Sequence, residues 1–133
     1  MTSAQRLGMV SIYVSQDQSR VKDFYGETLD FPLSSLPDDP TGSLLIENGN
    51  GPRILLYPVP AEDLKEPRSS GLVFYVEDID RTVREWKAKG VQFTKVPWSK
   101  EDSGIGPCPF GRFIYVHDPF GNQFEILQPS PHP

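Results

Sequence analysis

The chain is poor in cysteine, in basic charge and in long apolar runs. A single cysteine, Cys108, can form no internal disulfide, which is typical of a cytoplasmic protein. Eighteen acidic residues outnumber 13 basic ones, and the net charge of −5 comes without the basic stripe that binding to a phosphate backbone requires. No apolar run is long enough to cross a membrane, and residues 1–6 show no secretory pattern. We therefore expect a cytoplasmic protein that binds neither nucleic acid nor a membrane.

What the chain does contain is enough apolar and aromatic side chains for a folded domain. Hydrophobic residues make up 37% of the sequence, which includes eight Phe, five Tyr and two Trp. A length of 133 residues is close to the commonest size of one domain. The sequence predicts a single domain over residues 1–133, with a small molecule as the expected ligand.

The most informative pattern is an internal repeat. The segments 10–14 and 72–76 are both rich in β-branched and aromatic residues, which predicts two short strands. Tyr13 and Tyr75 set an offset of 62 residues (75 minus 13) between the two copies. At this offset further side chains of similar type coincide: Val21 with Val83, Phe24 with Trp86, and Phe31 with Phe93. The pattern predicts two copies of one βαβββ unit.

Each copy is predicted to contain a helix and further strands. Apolar spacings of three and four predict the helices, with Ser19 as a candidate cap of the first and Lys89-Gly90 as the end of the second. Turn sequences predict hairpins between strands 43–47 and 53–57 and between strands 112–117 and 123–128, and strand 91–96 follows the second helix. Unit one covers about 7–58 and unit two about 71–128. The proline-containing segment 59–70 is predicted to be an irregular linker.

The residues from Asp118 to Glu125, Asp-Pro-Phe-Gly-Asn-Gln-Phe-Glu, carry the most specific signal. With this hairpin and the doubled unit, the chain resembles the vicinal oxygen chelate superfamily of glyoxalase I, bleomycin-resistance proteins and extradiol dioxygenases. The resemblance implies an α+β fold in which two tandem βαβββ units form curved mixed sheets around a shared cleft, with the helices outside. It also implies a homodimer.

The resemblance further implies a divalent metal held by His, Glu or Gln side chains from the first and last strands of each unit. At these positions the sequence has Met9, Gly71, an aliphatic residue within 54–56, and Glu125. Only Glu125 retains a family ligand type, and one carboxylate is fewer than the three protein ligands of usual sites. We expect no metal and no other cofactor, with a divalent metal held through other ligands as the alternative.

Glu125 and His117 are the candidate catalytic residues. A carboxylate on a strand that faces aromatic side chains is partly desolvated, which raises its pKa and suits a general base. The plainer alternative is that Glu125 pairs with an arginine, a hydroxyl or water. His117 shares the face of Tyr115 and is either an acid–base group or an ordinary strand histidine. Cys108, between two prolines, is a poor candidate nucleophile, and His132 lies in a proline-rich tail.

Alternation along the strands also predicts a binding surface. If Ile12, Val14 and Phe74 face the helices, the opposite strand faces are lined by aromatic and small side chains. These faces and an adjoining loop supply the candidate ligand-binding residues, which are Ser11, Tyr13, Tyr57, Val73, Tyr75, Trp98, Phe110, Phe113 and Tyr115. The loop 97–111 is long for a compact domain and is a candidate lid.

Two functions stay open on the sequence alone. In the first, the protein is similar to bleomycin-resistance members and binds a small aromatic molecule in its cleft, without the usual metal and without chemistry. In the second, it is a lyase, isomerase or dioxygenase-type enzyme of the same superfamily that uses Glu125, with or without a metal. The lost ligand positions favour the first.

Overall fold

The computed structural model describes residues 7–131. The chain divides into two compact units, the first ending at Lys65 and the second beginning at Glu66. Each unit contains one mixed β-sheet, of four strands in the first and five in the second. None of the helices in residues 7–131 is both long enough and apolar enough to cross a membrane. The predicted α+β class is confirmed.

The first unit begins with a strand and a helix and continues with three strands. Its regular elements are β1 (Met9–Ser15), α1 (Gln18–Val21) continuing as a π-helix (Lys22–Thr28), β2 (Leu33–Ser35), β3 (Leu44–Ile46), β4 (Arg53–Val59) and a 3-10 helix (Ala61–Leu64). The strand order in the sheet is β1-β4-β3-β2, with β1 and β4 parallel and the other pairs antiparallel.

The second unit repeats this arrangement and adds one strand. Its elements are β5 (Arg68–Tyr75), α2 (Ile79–Ala88), β6 (Gln92–Thr94), β7 (Gly106–Cys108), β8 (Gly111–His117) and β9 (Asn122–Pro129). The order β5-β9-β8-β6, with β5 and β9 parallel, matches that of the first sheet, and β7 pairs with β8 outside this path. The matching order confirms the repeat that the sequence predicted.

The first strand of each unit alternates between the two faces of its sheet: β1 separates buried from exposed side chains, and β5 separates half-buried from exposed ones. In β1 the side chains of Ile12 and Val14 are 6% and 1% exposed, whereas Met9 and Tyr13 are 43% and 46% exposed. In the second unit α2 contributes its own apolar stripe to the core through Ile79, Val83 and Trp86, all of them buried. Because successive strand residues point to opposite sides, this alternation leaves one face of each strand to carry other functions.

The helix ends match the sequence prediction in one unit and differ from it in the other. The second helix ends at Ala88 with Lys89 as its C-cap, and Gly90 follows with φ of +89°, in agreement with the predicted end at Lys89-Gly90. The first helix is capped by Asp17 and not by Ser19: a carboxylate oxygen of Asp17 accepts a hydrogen bond from the Ser19 amide at 3.2 Å. A carboxylate preceding the first turn accepts from the free amides there, whereas Ser19 already lies within the turn.

The segment between the units is more regular than the sequence indicated. Strand β4 continues to Val59, the 3-10 helix follows, and β5 already begins at Arg68. The Arg68 amide donates to the Gly121 carbonyl oxygen at 2.7 Å, and the guanidinium donates to the Phe120 carbonyl oxygen at 2.6 Å. These distant partners extend β5 over the last three residues of the predicted linker 59–70. A local composition pattern contains no information about them.

The hairpin between β8 and β9 is held by the turn residues that the sequence singled out. A carboxylate oxygen of Asp118 accepts from the amides of Phe120 and Asn122 at 2.9 and 2.8 Å, and the Asn122 side-chain amide donates to its other oxygen at 2.7 Å. Gly121 has φ of +92°. Asp118 and Asn122 are therefore turn formers, as predicted.

Candidate functional site

The second unit contains an open cavity of about 510 Å³, which we call the second-unit pocket. Eight residues from four of its strands and a turn line the cavity, and most of them are apolar or aromatic. They are Val73, Tyr75, Cys108, Pro109, Phe110, Phe113, Glu125 and Leu127. Five of these, Val73, Tyr75, Phe110, Phe113 and Glu125, were candidate site residues in the sequence.

Strand register places Glu125 at the centre of the sheet face that carries the pocket. It lies on β9 opposite Val73 of β5 on one side and Tyr115 of β8 on the other. Its neighbours Phe124 and Ile126 are buried on the opposite face, at 2% and 0% exposure. Alternation along β9 thus keeps the carboxylate away from the main core and directs it to the pocket.

One wall of the pocket is a hairpin that the sequence analysis interpreted as a loop. Within the predicted loop 97–111, Gly106–Cys108 forms β7 and pairs with β8, so Pro109 and Phe110 form its two-residue turn. Phe110 at this tip is 69% exposed. Its carbonyl oxygen accepts from the Ser130 amide at 2.8 Å, which anchors the tip to the end of β9. The predicted loop is thus confirmed for residues 97–105, which form turns, a bend and irregular backbone, and is replaced by the hairpin from residue 106 onward.

Two glycines allow this hairpin to approach the sheet closely. A Cβ on Gly106 would lie 2.6 Å from a methyl carbon of Val96, and a Cβ on Gly111 would collide with the Gln128 carbonyl oxygen. Gly111 also has φ of +149°, a conformation that side-chain-bearing residues rarely adopt. The close approach therefore depends on residues without a side chain.

A small apolar cluster supplies Phe113 and Leu127 as the floor of the pocket. Val96, Phe113 and Leu127 are buried together, with Cys108 and Tyr115 packed against them. The Phe113 ring meets the Tyr115 ring edge to face at 5.4 Å, an arrangement that aromatic pairs favour. The floor is thus fixed by packing within the second unit before any ligand arrives.

Trp98 and Tyr115 support the pocket without being part of its lining. The Trp98 indole N–H donates to the Pro107 carbonyl oxygen at 2.7 Å, and its ring lies 6.0 Å from that of Phe113. Tyr115 is half-buried beside Phe113 and pairs with Glu125 across β8 and β9. Both residues were candidate ligand-binding residues, and the structure places them next to the lining side chains.

Glu125 is a carboxylate without a partner in residues 7–131. No hydrogen bond or ion pair within this range reaches its oxygens, and burial alone raises the pKa of the carboxyl above its ordinary value of 4.5. The upward direction agrees with the sequence prediction. The alternative that Glu125 pairs with an arginine or a hydroxyl is not supported by the described residues. Its charge is therefore available to a ligand.

His117 lies apart from the pocket. It pairs with Gln123 across β8 and β9, and its Nε2 lies 2.5 Å from the Thr94 hydroxyl oxygen. It is half-buried and is not part of the pocket lining. The structure therefore does not bring His117 together with the lining residues around Glu125. The other histidine, His132, lies outside the described residues.

The remaining candidate residues lie on the first sheet. Ser11 and Tyr13 are on β1 and Tyr57 is on β4, and all three side chains are on its exposed face. Tyr13 and Tyr57 are opposite each other, with ring centroids 6.4 Å apart. These residues form an aromatic patch of their own unit.

The residues at the family's metal positions do not fit a metal. Met9 offers only a thioether, Gly71 has no side chain, and the residue that corresponds to Glu125 in the first unit is Leu55, since Ser11 pairs with Leu55 as Val73 pairs with Glu125. Among the described residues no group of three or more His, Cys, Asp or Glu is placed to hold a metal ion. Glu125 is the single donor of the set.

Cys108, Pro109 and Leu127 line the pocket but were not among the site residues predicted from the sequence. Leu127 follows Glu125 by two positions on one strand, so the alternation rule already contained the signal. Cys108 and Pro109 line the pocket only because β7 pairs with β8. No local pattern in the Gly- and Pro-rich segment indicates that pairing.

Comparison with known proteins agrees with this architecture. A family model described as Glyoxalase/Bleomycin resistance protein/Dioxygenase superfamily matches residues 6–126. YetH of Bacillus subtilis (strain 168) is 30% identical over 127 residues, which are 93% of this chain and 98% of YetH.

Two solved structures from Streptomyces sp. CB03234 are also similar. TnmS3, an antibiotic binding protein, is 28% identical with a TM-score of 0.71, over 98% of this chain and 100% of TnmS3. A glyoxalase/bleomycin resistance protein is 26% identical with a TM-score of 0.66, and the match covers 92% of this chain and 100% of that protein's chain. With the doubled βαβββ unit, the closing hairpin and a family model that spans nearly the whole sequence, this chain belongs to the glyoxalase/bleomycin resistance protein/dioxygenase superfamily.

Proposed function

We propose that the protein binds a small, flat and largely apolar molecule in the second-unit pocket, without a metal and without converting it. The observation that carries this proposal is the lining. Apart from Glu125, it consists of aliphatic and aromatic side chains, a proline and a thiol. A volume of about 510 Å³ lies within the range of roughly 300–1,000 Å³ that is typical of sites for drug-sized ligands.

The positions of the aromatic rings favour a planar ligand. Phe113 is fixed in the floor, while Tyr75 and Phe110 are 75% and 69% exposed at the walls. Exposed rings of this size leave apolar area that a ligand can remove from water, at about 25 cal/mol for each Å² buried. A flat ring system uses most of this area because it can stack on several rings at once.

The similarity to TnmS3 supports a binding role. TnmS3 is an antibiotic binding protein, and its likeness to this chain extends over the full length of TnmS3. The metal positions support the same conclusion, because Met9, Gly71 and Leu55 leave one carboxylate where several donors are needed. The proposed function therefore requires only groups that this chain supplies.

Fluorescence titration with acridine, a neutral three-ring compound, tests the proposal. We expect saturable binding that Phe110→Ala weakens about tenfold, because that ring would contribute on the order of 1 kcal/mol of stacking. Leu7→Ala is the control, since it removes an exposed apolar side chain that is not among the candidate binding residues. Equal losses in the two variants, or no binding at all, would contradict binding in the second-unit pocket.

Elemental analysis tests the metal-free part of the proposal. The purified protein is incubated with Zn²⁺, Ni²⁺, Mn²⁺ or Fe²⁺ and then desalted, and we expect less than one equivalent of any of them. Stoichiometric metal that disappears in Glu125→Ala would overturn this part.

One observation favours a second candidate function. A carboxyl whose pKa is raised by burial, without a partner, in an open pocket suits a general base that acts without a metal. In that case the protein would be a lyase or isomerase. Mass spectrometry of a bound ligand after prolonged incubation separates the two functions. A ligand that wild type alters and Glu125→Gln leaves unaltered would show that the protein is an enzyme and would contradict binding without conversion.

We further propose that the protein is a cytoplasmic homodimer. The single cysteine supports the compartment and the family resemblance supports the dimer. Light scattering coupled to gel filtration is expected to give twice the chain mass of 15.0 kDa.

A further inference from the structure

The second-unit pocket combines three aromatic rings with one carboxylate. Tyr75, Phe110 and Phe113 supply the rings, and Glu125 supplies the charge from the middle of the sheet. Neither Lys, Arg nor His is among the eight lining residues. Within residues 7–131 the lining is therefore aromatic and carries one acidic side chain and no basic one.

This combination selects the charge of the ligand. An anionic ligand would meet the Glu125 carboxylate with no basic side chain to compensate, and its desolvation would be unfavourable. A cation would form two favourable interactions: an ion pair with the carboxylate, and attraction to the faces of aromatic rings within about 6 Å. The net charge of −5 on the whole chain favours the approach of a cation as well.

The carboxylate is available for this role. It is half-buried, so water solvates it less completely than a surface carboxylate, and within residues 7–131 it forms no hydrogen bond or ion pair. A partly desolvated charge without a partner is unfavourable, and a cationic ligand offsets that cost on binding. The first sheet has Leu55 at the corresponding position, so the charge is confined to one unit.

We propose that the second-unit pocket is specific for flat organic cations, with the Glu125 carboxylate as countercharge and the rings of Tyr75, Phe110 and Phe113 as the surface for stacking. This inference rests on the proposed binding function and adds the charge class of the ligand. Glu125 is the specificity-determining residue.

Three compounds of one shape and different charge test the inference. They are N-methylacridinium, acridine and anthracene carboxylate, which are cationic, neutral and anionic in mildly alkaline buffer. We expect N-methylacridinium to bind roughly 10- to 100-fold more tightly than acridine, which is the range of a charge-assisted contact, and anthracene carboxylate to bind most weakly. Affinities are measured by fluorescence titration.

Substitutions at Glu125 test whether its charge causes the preference for the cationic compound. Glu125→Gln keeps the size of the side chain and is expected to equalise the affinities of the cation and the neutral compound. Glu125→Asp keeps the charge and is expected to retain the preference. Glu62→Gln is the matched control, because Glu62 is exposed on the 3-10 helix of the first unit and is expected to leave all three affinities unchanged.

The outcomes separate this inference from the proposed function. If acridine and N-methylacridinium bind equally, Glu125→Gln changes neither, and Phe110→Ala weakens both, the pocket binds flat molecules and the inference of cation specificity is wrong. If none of the three compounds binds, both proposals are wrong. A cation preference that Glu125→Gln leaves intact also overturns the inference.

Discussion

The two sheets of this protein share one strand order and differ in what their exposed faces carry. In the first, the order is β1-β4-β3-β2, and Leu55 lies opposite Ser11. In the second, the order is β5-β9-β8-β6, and Glu125 lies opposite Val73. The connection before β8 also contains the added strand β7, whereas the corresponding residues 36–43 of the first unit form only turns and irregular backbone. The two copies of the unit therefore differ at the pocket by one added strand, β7, and one charged side chain, Glu125.

The glycines of the two hairpins provide the strongest test of this difference. Gly111→Ala is expected to destabilise the protein by about 3 kcal/mol or more, because the new Cβ collides with the Gln128 carbonyl oxygen in a conformation that favours glycine. Gly49→Ala in the first unit, with φ of +57° and no atom within 4 Å of the new Cβ, should cost only about 1 kcal/mol. Urea unfolding measures both. Similar losses would show that β7 does not depend on close approach at Gly111.

A second test compares the two hairpin turns. Asp118→Ala removes the acceptor of three hydrogen bonds from a buried turn of the second unit, and we expect a loss of about 2–3 kcal/mol. In the first unit Asn48 donates one exposed hydrogen bond to the Pro52 carbonyl oxygen, and Asn48→Ala should change stability by about 0.5 kcal/mol. Thermal unfolding of the two variants gives the comparison. An Asn48 effect as large as that of Asp118 would contradict the view that burial decides the difference.

The smallest expected effect concerns pH. Burial raises the pKa of Glu125 in the folded protein, so the folded state binds its proton more tightly than the unfolded state. The associated stability is present below 4.5, the ordinary pKa, and is lost as the pH rises through the higher folded pKa. Solvent reaches the carboxyl, so the effect should be below about 1 kcal/mol.

Glu125→Gln measures this contribution, because the amide cannot ionise. The free energy of unfolding of the variant minus that of wild type, measured with urea, is expected to be larger at about pH 7 than at about pH 4. Glu62→Gln in the first unit should show no such gain. If Glu125→Gln instead loses stability relative to wild type as the pH rises, the carboxylate has a favourable partner in the folded protein.

Much of the fold could be predicted because its signals are local. Alternation in β1 placed Ile12 and Val14 on the buried face, and the Asp118–Asn122 turn chemistry predicted the last hairpin. The offset of 62 residues between the copies predicted two similar sheets. Each of these patterns depends on residues within a few positions of one another or on similarity along the chain.

Other features depend on residues far apart in the sequence. The π-helix in the first unit, where the Leu29 amide donates to the Phe24 carbonyl oxygen, has no distinct local pattern. The start of β5 at Arg68 depends on bonds to residues 120 and 121. The ligand-binding candidates were selected by strand face alone, and the pairing of β7 with β8, which adds Cys108 and Pro109 to the lining, follows from no strand-face pattern.

The sequence by itself determined the doubled unit, because that depends only on which residue types recur at which spacing. Its resemblance to the family then identified the positions of the usual metal ligands, of which Glu125 alone retains a ligand type. Tertiary structure decided which candidates come together. Val73, Phe110 and Glu125 line one pocket because β5, the β7–β8 hairpin and β9 belong to one sheet, whereas His117 of the same sheet does not line it. The physical reason is that a cavity is formed by strand pairing and close packing between distant segments, and local residue patterns do not encode those contacts.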